Sequence, residues 1–176
     1  MPNTIRKMVG GKIFKERYKI LEIEIRVAEK NDLSTIQHMC ADTIAAVCST
    51  DYNQNQIEVW ISGIENTPRW NDNLSGQYIL VAEYDGEITG FISLKDGYYI
   101  DYLYIHADYQ HQGIAKRLYK AIEEKALLEK QSLLMADVSI TAKPFFQKIG
   151  FEILKEQKVY LEGVELTNYK MEKTIT

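Results

Sequence analysis

Three prolines, two cysteines and three histidines are all that 176 residues hold of the types that stiffen, staple or coordinate. Cys40 and Cys48 fall in one expected helix, too far along its axis to bridge each other, so they read as reduced thiols rather than a disulfide framework. His38, His106 and His111 are too widely spaced for a ligand set, and no metal is expected. No apolar run approaches the roughly 18 residues that span a bilayer, and the N-terminus has no signal-peptide apolar core. The expectation is a cytoplasmic protein with no membrane role. Net positive charge is confined to the first 19 residues: that arm carries Arg6, Lys7, Lys12, Lys15, Arg17 and Lys19 against Glu16, and the remainder is acidic within a net charge of −4. An acidic body lacks the basic face that nucleic-acid binding needs.

What is present is ample for a core. The 45% hydrophobic content fits one compact domain without staples. Residues 1–20, with Gly10-Gly11 and no sustained periodicity, are expected to be a flexible or loosely docked basic arm. From Ile20 to Ala28 apolar and charged residues alternate, which predicts a strand with one solvated face. Asn31 or Asp32 caps a helix whose apolar stripe runs through Leu33, Ile36, Met39, Cys40, Thr43, Ile44 and Val47. A second helix is expected from Asn53 to about Ile64, followed by a turn region at Pro68 and residues 71–73 that can hold a short helical turn. Gln77–Tyr84 and Glu87–Leu94 read as strands joined by an Asp85-Gly86 hairpin turn, and Tyr98–Ile105 as the next strand. An amphipathic helix follows, then a short strand over Ser132–Val138. A helix over Thr141–Ile149 with Pro144 in its first turn ends at Gly150, and a final strand pair turns at Glu162-Gly163. This order predicts a mixed α/β fold: a central, mostly antiparallel sheet flanked by helices on both faces.

One stretch points to chemistry. Ile100–Glu124 runs from strand through a polar loop into a helix start, the arrangement in which loop amides and the helix dipole converge on an anion. Its loop, Gln110-His111-Gln112-Gly113-Ile114-Ala115, fits Q-x-x-G-x-A. Ala142 and Phe145-Phe146-Gln147-Lys148-Ile149-Gly150-Phe151 follow about 30 residues later. Together these resemble the GNAT superfamily of acyl-CoA-dependent N-acyltransferases, over about Glu24 to Met171. The segments SITAKPFFQKIGF and VYLEGVELTNYKM are most similar to its YafP-like branch.

The resemblance implies a GNAT-like sheet, residues 21–176 as one N-acetyltransferase domain, and acetyl-CoA as co-substrate. It makes Gln110, His111, Gln112, Gly113, Ile114, Ala115 and Lys116 the pyrophosphate loop. Gly113 lacks a Cβ, so the backbone can approach a phosphate closely. Lys116 and Arg117 are each a phosphate partner or a solvated helix residue. Leu103, Tyr104 and Ile105 would lend their backbone to the pantetheine arm, with an amide near Leu103 or Tyr104 on the thioester carbonyl.

Strand alternation predicts Tyr99, Asp101, Leu103 and Ile105 on one face. Asp101 is then either the base for the amine, directly or through water, or a carboxylate satisfied by neighbouring hydroxyls. Ser139, where many members carry an asparagine, binds cofactor, relays a proton, or caps the following turn. Phe146 stands where the family often has a tyrosine acid, and phenylalanine has no proton to give. Trp60 and Trp70 are expected to roof the acceptor side. The expected acceptor is a small-molecule amine, with a protein N-terminus or lysine as alternatives, and the protein a monomer or homodimer. Two rivals are an acyl-CoA-binding sensor with little turnover and a different nucleotide-binding enzyme with a doubly wound parallel sheet.

Overall fold

Asn53 and Gln56 form a reciprocal capping box, each side chain bonding the other's backbone N–H, and so start a helix where an Asn-x-x-Gln pattern stands in the sequence. A side-chain cap starts the helix over Thr67–Leu74 in the same way, whereas the helix over Asp32–Val47 has none from Asn31, and Asp32 accepts the Glu29 N–H instead. The computed structural model describes residues 22–176 and the backbone of two short antiparallel strands, β1 (Lys7–Val9) and β2 (Lys12–Phe14). The rest of the basic arm expected over residues 1–20, and its expected looseness, lie outside the described residues.

The remaining elements are β3 (Glu24–Val27), α1 (Asp32–Val47), α2 (Gln54–Glu65), α3 (Thr67–Leu74), β4 (Tyr78–Tyr84), β5 (Glu87–Lys95) and β6 (Tyr99–Ile105). Then come α4 (Ile114–Leu128), β7 (Leu133–Ser139), α5 (Lys143–Lys148), β8 (Glu152–Leu161) and β9 (Val164–Thr174). Strands β3 to β9 make one seven-stranded sheet in the order β3-β4-β5-β6-β7-β9-β8. Every pair is antiparallel except β6 with β7. At Asp85-Gly86 both residues have positive φ, 51° and 80°, the twist that a two-residue hairpin turn demands.

Helices cover both faces. On one, α1, α2 and α3 pack Ile36, Ile44, Ile57 and Trp70 against Ile79, Val81, Phe91 and Leu166. On the other, α4 and α5 pack Ile114, Leu118, Ile122 and Phe146 against Leu80, Ile92, Ile100 and Val138. Gly90 on β5 lets the neighbouring strand close in, because a Cβ there would sit 2.6 Å from Ile105 Cδ1 and 3.0 Å from the Tyr104 carbonyl oxygen.

Two irregularities shape the middle of the sheet. Ser93 pairs with Tyr102 and Leu94 with Ile100, so Asp101 is an extra residue, a β-bulge in β6. Beyond it, β6 and β7 part company: they pair only at Tyr99–Met135 and Ile100–Ala136, plus the Met135 N–H to Tyr98 carbonyl bond of 3.0 Å. The two strands therefore form a fork that opens toward Ile105 and Ser139.

Candidate active site

The fork is a cleft of about 850 Å³ that passes through the sheet. Its walls are Ile100–Ile105 of β6 on one side and Ala136–Ser139 of β7 on the other. The α4 N-terminus and α5 border it on one face of the sheet; Thr43, Val47, Cys48 and Trp60 border it on the opposite face.

The loop at its mouth is pinned where the strand ends. The Ile105 carbonyl accepts from the Gln110 Nε2 amide and from Thr43 Oγ1 on α1, at 3.3 Å in the second case. His111 and Gly113 then take positive φ, 61° and 82°, and turn the backbone into α4. The first helical bond, Arg117 N–H to the Gly113 carbonyl at 3.2 Å, leaves the amides of Ile114, Ala115 and Lys116 without acceptors inside the helix. A Cβ on Gly113 would meet nothing within 4 Å, so the space before these amides is open. Six of the seven loop residues, Gln110, His111 and Gly113–Lys116, line the cleft; Gln112 does not, its Nε2 donating instead to the Asp108 carbonyl at 3.3 Å. Arg117 is also turned away, to the Ile23 carbonyl.

The strand edge is equally exposed. Tyr102 N–H donates to Ser93 Oγ and His106 N–H to the Thr89 carbonyl, so these amides and that of Tyr104 between them face β5. Ladder alternation turns the amides of Leu103 and Ile105 the other way, into the fork. Of the two amides expected beside the thioester, the Leu103 amide has the required direction and the Tyr104 amide does not. A loop of unpaired amides at a helix start, joined to an unpaired strand edge, fits a pyrophosphate with a long polar arm.

Residues 48–173 match the family model described as the acetyltransferase (GNAT) domain. The chain belongs to the GNAT acetyltransferase family. It is 36% identical over 152 residues to the uncharacterized N-acetyltransferase YafP of Escherichia coli (strain K12), covering 85% of this chain and 94% of that one. A GCN5-related N-acetyltransferase structure from Rhodopseudomonas palustris superposes with a TM-score of 0.83 at 30% identity, over 86% and 95% of the two chains. The PaiA N-acetyltransferase of Thermoplasma acidophilum, solved with coenzyme A, shares the fold with a TM-score of 0.69 at 20% identity, over 88% and 99%. The chain is accordingly a GNAT N-acetyltransferase with acetyl-CoA as its acyl donor, on the mixed, mostly antiparallel sheet of that family.

Within this GNAT cleft one expectation fails. Asp101 does not share a face with Leu103 and Ile105, because the bulge breaks alternation at that residue. Leu103 and Ile105 face the α4 side with Ile100, whereas Tyr102 and Tyr104 face α1–α3. Asp101 accepts from Gln77 Nε2 at 2.6 Å, and the same Nε2 donates to the Asn73 carbonyl at 2.6 Å while Asn73 Nδ2 donates to Tyr102 Oη at 3.4 Å. Those partners put the Asp101 carboxylate with Tyr102, on the α1–α3 side. Tyr99 hydrogen-bonds to Asp137 across the fork's base. Burial first, then the charges of Asp137 and Asp101, push its hydroxyl well above the usual tyrosine range.

Ser139 Oγ accepts the Ala142 N–H at 3.1 Å, the capping role, and Ser139 also lines the cleft. Phe146 is 3% exposed, edge-on to Phe145 and Phe151, and forms part of the cleft wall. The expected acceptor-side roof is half right. Trp60 lines the cleft, but Trp70 is 1% exposed, bonded through Nε1 to the Leu33 carbonyl at 3.2 Å and packed on Phe91 and Tyr102.

Three cleft or cleft-side residues were not singled out by the sequence. Cys48 lies at the cleft wall, its thiol pushed up by burial. Asp137 is a carboxylate in a strand otherwise apolar on its inner face, the same signal that marked Asp101. Gln77 precedes β4 with no distinguishing pattern at all.

Proposed function

We propose that this chain moves an acetyl group from acetyl-CoA to an amine by direct attack within a ternary complex held in the fork. One observation carries the reading: the cleft passes through the sheet, with the amide-rich loop at its α4 mouth and the Asp101 carboxylate on the α1–α3 side. Donor and acceptor can then meet from opposite faces.

The proposed roles follow from chemistry at each atom. The amides of His111 and Gly113–Lys116, with the α4 dipole, hold the pyrophosphate, and the Lys116 ammonium adds charge at the mouth. The free edge of Leu103–Ile105 pairs with the pantetheine arm as an added strand would. Bound acetyl-CoA supplies an activated acyl group, so no covalent enzyme nucleophile is required. The Leu103 amide donates to the carbonyl oxygen as charge grows there. Asp101 takes the amine proton directly or through one water. Ser139 Oγ, one lone pair of which holds the Ala142 amide, relays a proton to the departing thiolate, giving its own hydrogen as it takes one from water on its other lone pair, the role Phe146 cannot fill.

Asp101 and Asp137 on the acceptor side, opposite His111, Lys116 and Lys148 at the cofactor mouth, favour a cationic amine over a neutral or acidic acceptor. A small-molecule amine is the first acceptor class to test; a protein N-terminus or lysine is the second. Coenzyme A should bind in calorimetry where ATP and NAD do not, and thiol release should appear with members of an amine panel. Coenzyme A binding with silence toward every amine and every peptide would instead make the chain a sensor.

A further inference from the structure

The Asp101 carboxylate is held by a side chain from a distant part of the chain. Gln77, the residue before β4, gives its Nε2 hydrogens to Asp101 Oδ2 and to the Asn73 carbonyl, both at 2.6 Å. Both partners can only accept, so the orientation of the amide is fixed by chemistry: turned over, Oε1 would face a carboxylate and a carbonyl. In the orientation present, Oε1 is buried with no hydrogen-bond partner, the one such side-chain atom among the described residues. An orphaned buried acceptor works against folding. Fixing the α3–β4 junction needs only the Asn73 bond, which leaves the second bond, to Asp101, as the feature that the orphan accompanies.

Asp101 needs such a holder because it is the bulge residue, outside the regular ladder that orients its neighbours. Its surroundings would otherwise turn it several ways. Tyr99 and Tyr102 flank it on its own strand and feel its charge; Tyr99 also feels that of Asp137 on β7, which pairs with Lys170 at 3.8 Å, and Tyr102 that of Arg69 on α3. With Oδ2 taken by Gln77, Oδ1 has no protein partner among the described residues.

The geometry points to Gln77 as a positioning residue for transfer: it fixes the Asp101 carboxylate so that Oδ1 addresses the acceptor amine. This rests on the reading of Asp101 as the base. Gln77 hydrogen-bonds to neither the loop nor Leu103–Ile105, so its role predicts a kcat effect without a coenzyme A effect.

Two variants test it, Gln77→Met, of similar shape without the donor, and Gln77→Glu, which sets a second carboxylate against the first. Each should lower kcat by roughly ten- to a hundredfold, the scale of a misplaced catalytic group, while the coenzyme A dissociation constant from calorimetry stays at the wild-type value. In an Asp101→Asn background the same changes should lower kcat no further. Wild-type kcat in both variants overturns the proposal, as does a full multiplicative loss in the Asp101→Asn background, or loss of coenzyme A binding in both, which would make Gln77 a folding residue. If Asp101→Asn alone retains wild-type kcat, the base reading itself falls and takes this inference with it. A drop for Asp101→Asn with none for Gln77 removes only the inference.

Discussion

A single carboxylate on an apolar strand is visible in the sequence, but the direction it faces is not. Asp101 stands out between Ile100 and Leu103, yet its side depends on one extra residue relative to β5, and only cross-strand register reveals that. Regular alternation would have put it on the α4 side, where the amine does not arrive in our account. With Asp101 as base, Asp101→Asn should lower kcat by about 10²- to 10⁴-fold in a thiol-release assay while coenzyme A affinity holds. An unchanged kcat would remove it from the mechanism. Ser139 has two roles that can be separated. Ser139→Ala should cost about 1 kcal/mol in denaturant unfolding through loss of the cap. It should also slow turnover beyond what coenzyme A binding explains; a stability loss alone would leave Ser139 a cap and nothing more.

Among elements, the ones with sharp local chemistry were legible. Asp-Gly and Glu-Gly turns, the Asn53/Gln56 box and the Pro144 and Gly150 boundaries of α5 each act within a few residues. By contrast α3, Thr67–Leu74, is an eight-residue helix where Pro68 and three successive Asn and Asp residues read as a turn region with at most a short helical turn. It holds because the Asn66 side chain accepts the Arg69 N–H and because Trp70 is buried in the α1–α3 core, a tertiary contact that no local propensity encodes. The proposed pyrophosphate loop is an element-scale device too. At φ 82° a β-branched residue is strained and its Cβ would enter the open space before the α4 amides, so Gly113→Val should weaken coenzyme A binding at least tenfold in calorimetry. Normal affinity would contradict the loop assignment.

A different clasp ties β3 to α1. Arg26 bonds Asp32 at 2.7 Å and Glu83 at 2.8 Å. The Arg26 hydrogen bonds hold Asp32 below the usual carboxylate range against the opposing effect of burial. A carboxylate depressed in the folded state stabilises it fully above its unfolded value near 3.8, and that contribution is lost as pH falls through the lower folded value. Arg26→Met should therefore cost about 2 kcal/mol at neutral pH, and the gap from wild type should narrow below pH about 4. Denaturant melts across that range give the answer; a gap independent of pH would show that packing, not the ion pair, is what the substitution removes.

At the scale of the whole molecule, the sequence order of strands and helices was enough to anticipate a mixed sheet covered on both faces. The fork was not. It arises because β6 and β7 share only two paired positions before diverging, a property of two strands separated by the whole of α4. The fork makes the donor's loop and the acceptor's carboxylates two ends of one passage, and from that comes the claim that both substrates are present together. Initial-rate kinetics with acetyl-CoA and an accepted amine varied together test this most directly. The account predicts double-reciprocal lines that intersect, with thiol release strictly dependent on the amine. Parallel lines, or thiol release that proceeds to an acetylated protein without amine, would contradict it.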